Sequence, residues 1–254
     1  MCYGVVVATK NDGTSEPATS GSSVTQGYDP SQFPPFAVTA DLVILTVRPP
    51  QVQVLLVERE RDPYAGAWAL PGGFVGAEQS LVEAAQFKLQ DKTGLSVDAA
   101  HLEQLASFGD PDRDPRMRVI SVAWLALVAH PDEPVAGAES VDAAWVDVAS
   151  LDRTLLAFDH AAILSAGIER ARNRIEYTTL APTFCGDTFS MGELRSVYET
   201  LWGHPLDPAN FNRKVLATPG FVEPTGDVVA QPKGRPAKTY QRGQAKRLKP
   251  PLQR

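Results

Sequence analysis

The sequence predicts an α/β (α+β) domain, in which a mixed sheet lies between helices, followed by a second domain of two short helices and a hairpin. Apolar runs of strand length recur between residues 40 and 148, and two segments with helical spacing accompany them. Beyond residue 174 the pattern changes to short capped helices and then to a basic segment. The chain has 254 residues, 43% of them hydrophobic, so it is long enough for two globular domains.

The elements of the first domain follow from local signals. Residues 11–35 are rich in Ser, Thr, Gly and Pro and offer little apolar surface to bury, so order is expected to begin near Ala37. Pro49 and Pro50 separate the first two strands, and a Gly- and Pro-rich turn follows at residues 70–75. Gly94 ends the first helix. The predicted strands are residues 40–47, 52–57, 102–108, 119–128 and 143–148, and the predicted helices are residues 80–92 and 161–174.

The second domain begins with a capping box. Ser190 and Glu193 have the spacing of that motif, and apolar residues continue it as an amphipathic helix that ends at Gly203. Asp207 followed by Pro208 favours the start of a second helix of about ten residues. Residues 220–223 and 237–242 are expected to pair as a basic hairpin. Helix, turn, helix and hairpin is the order of a winged helix-turn-helix domain.

The second of these helices has one apolar and one polar side. Helical spacing places Phe211, Val215 and Leu216 on the first side. The opposite side carries residue types that recognise DNA, because Asn bonds adenine edges, Arg bonds guanine and Lys neutralises phosphate. The hairpin would add phosphate or minor-groove contacts. The predicted DNA-binding residues are Asn210, Arg213, Lys214, Lys233, Arg235 and Lys238; the alternative is an ordinary solvated helix face.

Positive charge is concentrated at the C-terminal end of the chain. Residues 228–254 hold eight of the 24 Lys and Arg and none of the 30 Asp and Glu, so they carry +8, residues 1–227 carry −14, and the chain carries −6. This separation favours an electropositive surface directed at a polyanion, although a solvated basic tail is the alternative.

The composition also argues against several classes of protein. The chain lacks a run of about 18 apolar residues, as a transmembrane helix would need, and its first ten residues do not resemble a secretory signal. Cys2 and Cys185 are far apart, so neither a disulfide framework nor a zinc site is expected. We therefore expect a cytoplasmic protein that does not associate with membranes.

Residues 73–95 resemble the signature of the Nudix family, Gly-x5-Glu-x7-Arg-Glu-U-x-Glu-Glu-x-Gly-U, where U is bulky and aliphatic. Gly73, Leu89, Gly94 and Leu95 match it at the correct separations. The residues that would carry the chemistry depart from it. Gln79 stands at the position of the first Glu, and Phe87 stands at that of the Arg. The remaining three Glu positions are occupied by Lys88, Asp91 and Lys92.

In the Nudix signature, the carboxylates hold Mg²⁺ against a substrate diphosphate. These departures replace most of those carboxylates. Lys88 and Lys92 lie one helical turn apart where the family holds metal. We therefore expect no catalytic residues, no metal site and no required cofactor. One hypothesis is that the two ammonium groups replace the charge of the metal against a bound diphosphate.

A degenerate Nudix domain followed by a winged helix resembles the Nudix-related transcriptional regulators of NAD metabolism. The resemblance rests on the box and on residues 156–160, Tyr198-Glu199, Gly203, residues 205–207, Asn210-Phe211, Arg213-Lys214, residues 234–237 and Tyr240. It implies a homodimeric repressor that binds double-stranded, palindromic operator DNA, with ADP-ribose or a related nucleotide as effector.

The effector would bind in the Nudix domain. An aromatic ring stacks on adenine, and Arg forms bidentate bonds to a diphosphate. The predicted effector-binding residues are Arg59, Trp68, Phe74, Lys88, Lys92, Arg116 and Arg118. Core packing is the alternative for Trp68 and Phe74, and residues 110–116 are either a ligand lid or an exposed connecting loop.

The predicted organisation is a disordered leader at residues 1–36, a Nudix-like effector-binding domain at 37–175, a winged-helix DNA-binding domain at 176–243 and a basic tail at 244–254. The function predicted from it is a repressor of NAD biosynthesis or salvage genes that senses an NAD-derived nucleotide. An active Nudix hydrolase, such as an ADP-ribose pyrophosphatase, and an RNA-binding protein are the alternatives.

Overall fold

A mixed sheet is centred on the long strand β1 (Ala37–Arg48). The computed structural model describes residues 29–98, 101–230 and 236–252. Within them, β1 pairs in parallel with β6 (Val119–Leu127) and antiparallel with β2 (Gln51–Arg59) and with β4 (Gly72–Phe74). The sheet is completed by β3 (Trp68–Ala69), β5 (Glu103–Phe108) and β7 (Ser140–Asp147), of which β3 and β7 pair with β2, and β5 with β6.

Both faces of the sheet are covered, which explains why β1 is buried almost throughout. Its side chains alternate: one set packs beneath helix α1 (Leu81–Thr93), and the other packs beneath helix α2 (His160–Tyr177). Ala40, Leu42 and Ile44 belong to the first set; Val43, Leu45 and Val47 belong to the second. The predicted fold class of a mixed sheet between helices is confirmed.

Local signals set the helix limits in this domain. Ser80 and Glu83 form a complete capping box at the start of α1, and Gly94 ends the helix with φ of 69°. Gly167 lets α2 approach the sheet, because a Cβ at this position would lie 2.6 Å from Val43 Cγ1. The last turn of α2 extends past the predicted limit at residue 174 and packs against the second domain.

The second domain has the predicted order of elements. Helix α3 (Met191–Trp202) starts at the Ser190–Glu193 capping box, and helix α4 (Pro208–Ala217) starts where the Asp207 side chain accepts a hydrogen bond from Asn210 N at 2.7 Å. A sheet then forms from β8 (Phe189–Ser190), β9 (Val222–Val229) and β10 (Ala237–Arg242), with β10 in the middle. Strand β9 begins two residues after the predicted start at residue 220 and extends past the predicted end at 223, because it pairs with most of β10.

A single apolar core joins the two domains. It runs from the α2 face of the main sheet through α2 and α3 to Phe211 and Val215 of α4. Polar contacts accompany it: Tyr198 Oη donates to Ile175 O at 3.2 Å, and Arg172 Nε donates to Leu201 O at 2.8 Å. The end of α2 is therefore built into the winged helix.

The C-terminal segment, which we define as residues 244–252, is packed against this junction. Leu248 and Leu252 are each 3% exposed and belong to the shared core. Their backbone N–H groups donate to Tyr177 O and Glu176 O, both at 3.0 Å. The basic tail predicted at residues 244–254 is therefore not a free, solvated tail over this segment, because two leucines in a basic sequence supply an apolar anchor. Of the predicted leader, residues 1–28 lie outside the described residues.

Candidate functional site

A cleft of about 310 Å³ opens where β1, β4, α1 and the start of α2 meet. Its wall includes the loop of residues 110–116 and the chain just before β7. Five of the predicted effector-binding residues line it. They are Arg59, Phe74, Lys88, Lys92 and Arg116.

Two guanidinium groups converge on one aromatic ring in this cleft. The Cζ atoms of Arg59 and Arg116 lie 4.9 Å and 5.4 Å from the ring centroid of Phe158, and Arg116 Cζ also lies 4.9 Å from that of Phe74. Burial and the nearby positive charge of Arg116 lower the pKa of Arg59. An anion bound between the two groups would relieve their repulsion.

The two lysines of α1 have different surroundings. Lys92 is 7% exposed, and its Nζ lies 2.8 Å from both Ala138 O and Glu139 Oε2. The hydrogen bond from Lys92 to Glu139, together with the positive charge of Lys92, lowers the pKa of Glu139. The half-buried Lys88 lies beside Gly73, and its Nζ is 5.4 Å from the ring centroid of Phe87. Lys92 is thus already neutralised, while Lys88 faces the cleft.

The floor of the cleft is a buried network of charges. Arg113 forms two hydrogen bonds to Asp159, at 2.6 and 2.9 Å, and its Nη2 lies 3.7 Å from Asp41 Oδ2. Burial alone would lower the pKa of Arg113, but the hydrogen bonds to Asp159 and the negative charges of Asp159, Asp41 and Asp114 together outweigh it and raise the pKa. Asp41 also accepts hydrogen bonds from Ser121 Oγ and Thr39 Oγ1. The loop of residues 110–116 is therefore anchored, and it is not merely an exposed connection.

His160 has a structural contact at the start of α2. Its Nδ1 accepts a hydrogen bond from Leu70 N at 2.9 Å, and its side chain is buried. Burial lowers the pKa of His160, although Asp41 opposes the shift, and the acceptor role of Nδ1 fits a neutral ring. Asp159 occupies the N-cap position of α2, yet its carboxylate bonds Arg113 and makes no capping hydrogen bond.

Two predicted effector-binding residues do not line the cleft. Trp68 is on β3, where its backbone pairs with Glu58 and its ring packs on the shared core. Arg118 precedes β6, and its Cζ lies 5.4 Å from the ring centroid of Phe36. Several lining residues were not predicted, because they come from distant parts of the chain: Asp41, Arg61, Glu139 and Phe158. Arg113 and Asp114 also line the cleft, and they belong to the loop for which a ligand lid was one of the two alternatives.

Three carboxylates that line the cleft are already paired with cations. Asp114 bonds Arg116, Glu139 bonds Lys92, and Asp41 lies beside Arg113. Among the described residues, no group of three or more His, Cys, Asp or Glu is arranged to hold a metal ion. Gln79, at the position of the first signature Glu, accepts a hydrogen bond from Gly76 N.

The polar side of α4 is exposed. Asn210 and Arg213 lie at the surface, and Asn210 Oδ1 accepts a hydrogen bond from Arg213 Nη2 at 2.6 Å, while Lys214 is half-buried. Phe211 and Val215 are buried as predicted. The prediction for Leu216 is wrong: it is 57% exposed, because at about 100° per residue it lies about 140° around the helix from Phe211, at the edge of the apolar side.

The predicted contacts of the hairpin are only partly described. Lys238 lies exposed on β10. Lys233 and Arg235 lie outside the described residues. In the described part of the chain, no helix combines the length and hydrophobicity needed to span a membrane.

The fold and the cleft define a class of protein in which a Nudix domain is joined to a DNA-binding winged helix. The family model "NUDIX domain" matches residues 38–166, and the model "NrtR DNA-binding winged helix domain" matches residues 183–241. The "ADPR responsive transcriptional repressor NtrR" of Acinetobacter baylyi is 36% identical over 215 residues, 84% of each chain. The chain belongs to the NrtR family of Nudix-related transcriptional regulators.

Solved structures agree with this assignment. NrtR of Shewanella oneidensis, crystallised with a 27mer DNA, is 31% identical and superposes with a TM-score of 0.65, covering 81% of this chain and 93% of that one. Its Nudix domain, crystallised with ADP ribose, is 33% identical with a TM-score of 0.52 and covers 57% of this chain and 95% of that one. An enzyme is also similar: the "ADP-ribose pyrophosphatase" of Methanocaldococcus jannaschii is 37% identical over 44% of this chain and 63% of its own.

Proposed function

We propose that this protein is a cytoplasmic, DNA-binding transcriptional repressor of NAD biosynthesis or salvage genes, and that ADP-ribose or a related NAD-derived nucleotide is its effector. One feature carries the proposal: a single apolar core joins a cationic cleft to an exposed helix face that carries Asn210 and Arg213. A ligand-responsive repressor needs a ligand site and a DNA-binding face on one body. The named relatives, one responsive to ADPR and one crystallised with DNA, support the same function.

The chemistry of the cleft suits a nucleoside diphosphate. Arg59 and Arg116 are placed to bind a diphosphate from two sides, and Lys88 adds a third positive charge. Phe74 and Phe158 offer ring faces on which a base can stack. Of the two lysines in our hypothesis, Lys88 is the one that replaces the charge of a metal, since Glu139 neutralises Lys92.

We propose that the protein is not a hydrolase. Asp41, Asp114 and Glu139 each lie beside a cation, so they do not fit Mg²⁺, which needs several oxygen ligands free to coordinate it. Incubation with ADP-ribose and Mg²⁺, followed by chromatography for AMP, tests this statement. Sustained release of AMP would support the hydrolase alternative, which the similarity to a pyrophosphatase favours.

DNA binding is tested by a gel shift on the upstream region of the gene itself, at several salt concentrations, with and without ADP-ribose. We expect a complex that survives competitor DNA and responds to ADP-ribose. A palindromic operator would be matched by a homodimer, because a two-fold symmetric site presents two equal half-sites. Equal binding to unrelated DNA, or binding to RNA alone, would contradict the proposal.

A further inference from the structure

Asp114 is a buried carboxylate whose two oxygen atoms are both directed at one arginine. Its side chain is 3% exposed. Oδ1 accepts hydrogen bonds from the backbone N and from Nε of Arg116, both at 3.0 Å, and Oδ2 accepts one from Arg116 Nη2 at 2.7 Å. This bidentate geometry fixes the plane of the guanidinium as well as its position.

Arg116 is held on further sides by two aromatic rings. Its side chain is 39% exposed, so a free arginine here would sample many rotamers. Phe74 and Phe158 lie on it at 4.9 Å and 5.4 Å, and Asp114 holds its edge. The guanidinium is therefore ordered in the cleft before any ligand arrives.

The charge of Asp114 is unfavourable for an anionic ligand. Burial alone would raise the pKa of Asp114, but the hydrogen bonds from Arg116 and the charges of Arg116 and Arg113 together outweigh it and lower the pKa, so the group is ionised. A carboxylate beside a diphosphate site repels the ligand. A group that is already ordered loses less entropy when it binds a ligand. The presence of Asp114 is explained if the affinity gained by ordering Arg116 exceeds the affinity lost by repulsion.

We propose that Asp114 is a positioning residue of the effector site, and that it holds Arg116 in the orientation in which the guanidinium binds the diphosphate. The proposal rests on the effector site described under the proposed function. It extends that site to a residue that acts through the orientation of Arg116. It also gives residues 110–116 a role, with Arg113 anchoring the loop and Asp114 directing its last arginine.

The test is calorimetric titration of the full-length protein with ADP-ribose. Repulsion and positioning predict opposite changes in the affinity for ADP-ribose when Asp114 is replaced in the Asp114→Asn variant. Loss of a negative charge alone would tighten binding, whereas loss of positioning weakens it, because the amide NH₂ cannot accept from Arg116 Nη2. We expect binding about tenfold weaker. Asp62→Asn is the matched control: Asp62 also lines the cleft, and we expect slightly tighter binding, because only repulsion is removed.

Two further variants separate positioning from damage to the loop. Arg116→Lys keeps the charge but cannot form the bidentate pair, and it should weaken binding about as much as Asp114→Asn. In an Arg116→Ala background, Asp114→Asn should no longer weaken binding and should tighten it slightly, because the residue that it directs is absent and only the repulsion is removed. The thermal unfolding midpoint without ligand checks that each variant is folded.

The outcomes distinguish the two proposals. Unaltered protein that binds ADP-ribose, combined with Asp114→Asn protein that binds as tightly or more tightly, would overturn the positioning role alone. A penalty that persists in the Arg116→Ala background would do the same, since it would show a general effect on the loop. Unaltered protein that does not bind ADP-ribose would overturn the proposed effector, and the positioning role with it.

Discussion

Lys88 and Lys92 lie one turn apart on α1, and their contacts predict different consequences when each is replaced by alanine. Lys88→Ala removes a charge that faces the cleft, so ADP-ribose should bind about tenfold more weakly while stability is little changed. Lys92→Ala removes two hydrogen bonds of a buried ammonium, so the free energy of unfolding should fall by about 1–2 kcal/mol.

Calorimetry and urea unfolding of the two variants check this prediction. Each variant serves as the control for the other, because the chemical change is the same and the distance along the helix is one turn. Weaker ADP-ribose binding for Lys92→Ala than for Lys88→Ala would contradict the assignment of Lys88 to the ligand.

A second prediction for single residues concerns the exposed side of α4. Arg213→Ala should cost about 1–3 kcal/mol of specific DNA-binding free energy, and Lys214→Ala should weaken all DNA binding and reduce the salt dependence. Asn212→Ala, on the same helix but outside that face, is the control. Gel shifts with operator and competitor DNA measure both effects. Unchanged binding by Arg213→Ala and Lys214→Ala proteins would show that the recognition face is elsewhere.

At the scale of whole elements, the helix starts are predictable because their signals are local. Ser80 with Glu83, Ser190 with Glu193, and Asp207 with Pro208 each act within one turn. The cleft is only partly predictable, since its floor joins Asp41, Arg113 and Asp159, which are far apart in sequence. Only the tertiary fold brings such residues together, so spacing along the chain does not reveal them.

The packing of the C-terminal segment is likewise not predictable from the local sequence. Its charges suggest a solvated tail, yet Leu248 and Leu252 are buried against the end of α2. Leu248→Ala and Leu252→Ala should each lower the free energy of unfolding by about 2–5 kcal/mol, as for large-to-small changes in a core. Lys246→Ala, on the exposed side of the segment, should change it by less than about 0.5 kcal/mol. Urea unfolding measures both, and equal effects would contradict the anchoring role.

At the scale of the whole molecule, α2 connects the two candidate sites. At the start of α2, the N-cap residue Asp159 is held by Arg113 in the floor of the cleft. At the other end, the last turn of α2 contacts α3 and the C-terminal segment. A displacement of Arg113 on ligand binding would therefore act on the start of a helix whose end is part of the DNA-binding domain. This route is a physical connection, and mutation is needed to test whether free energy passes along it.

The last prediction is that the two ligands are coupled through α2. If ADP-ribose changes the Kd for operator DNA by some factor, then operator DNA must change the Kd for ADP-ribose by the same factor, because coupling between two binding sites is reciprocal. Asp159→Asn removes the charge that Arg113 holds, so it should bring that factor closer to one. Asp152→Asn, at the cap of the neighbouring 3₁₀ turn, is the matched control and should leave the factor unchanged. Fluorescence anisotropy with labelled operator, with and without saturating ADP-ribose, gives the factor for each protein. An unaltered factor in the Asp159→Asn protein would exclude this ion pair from the coupling.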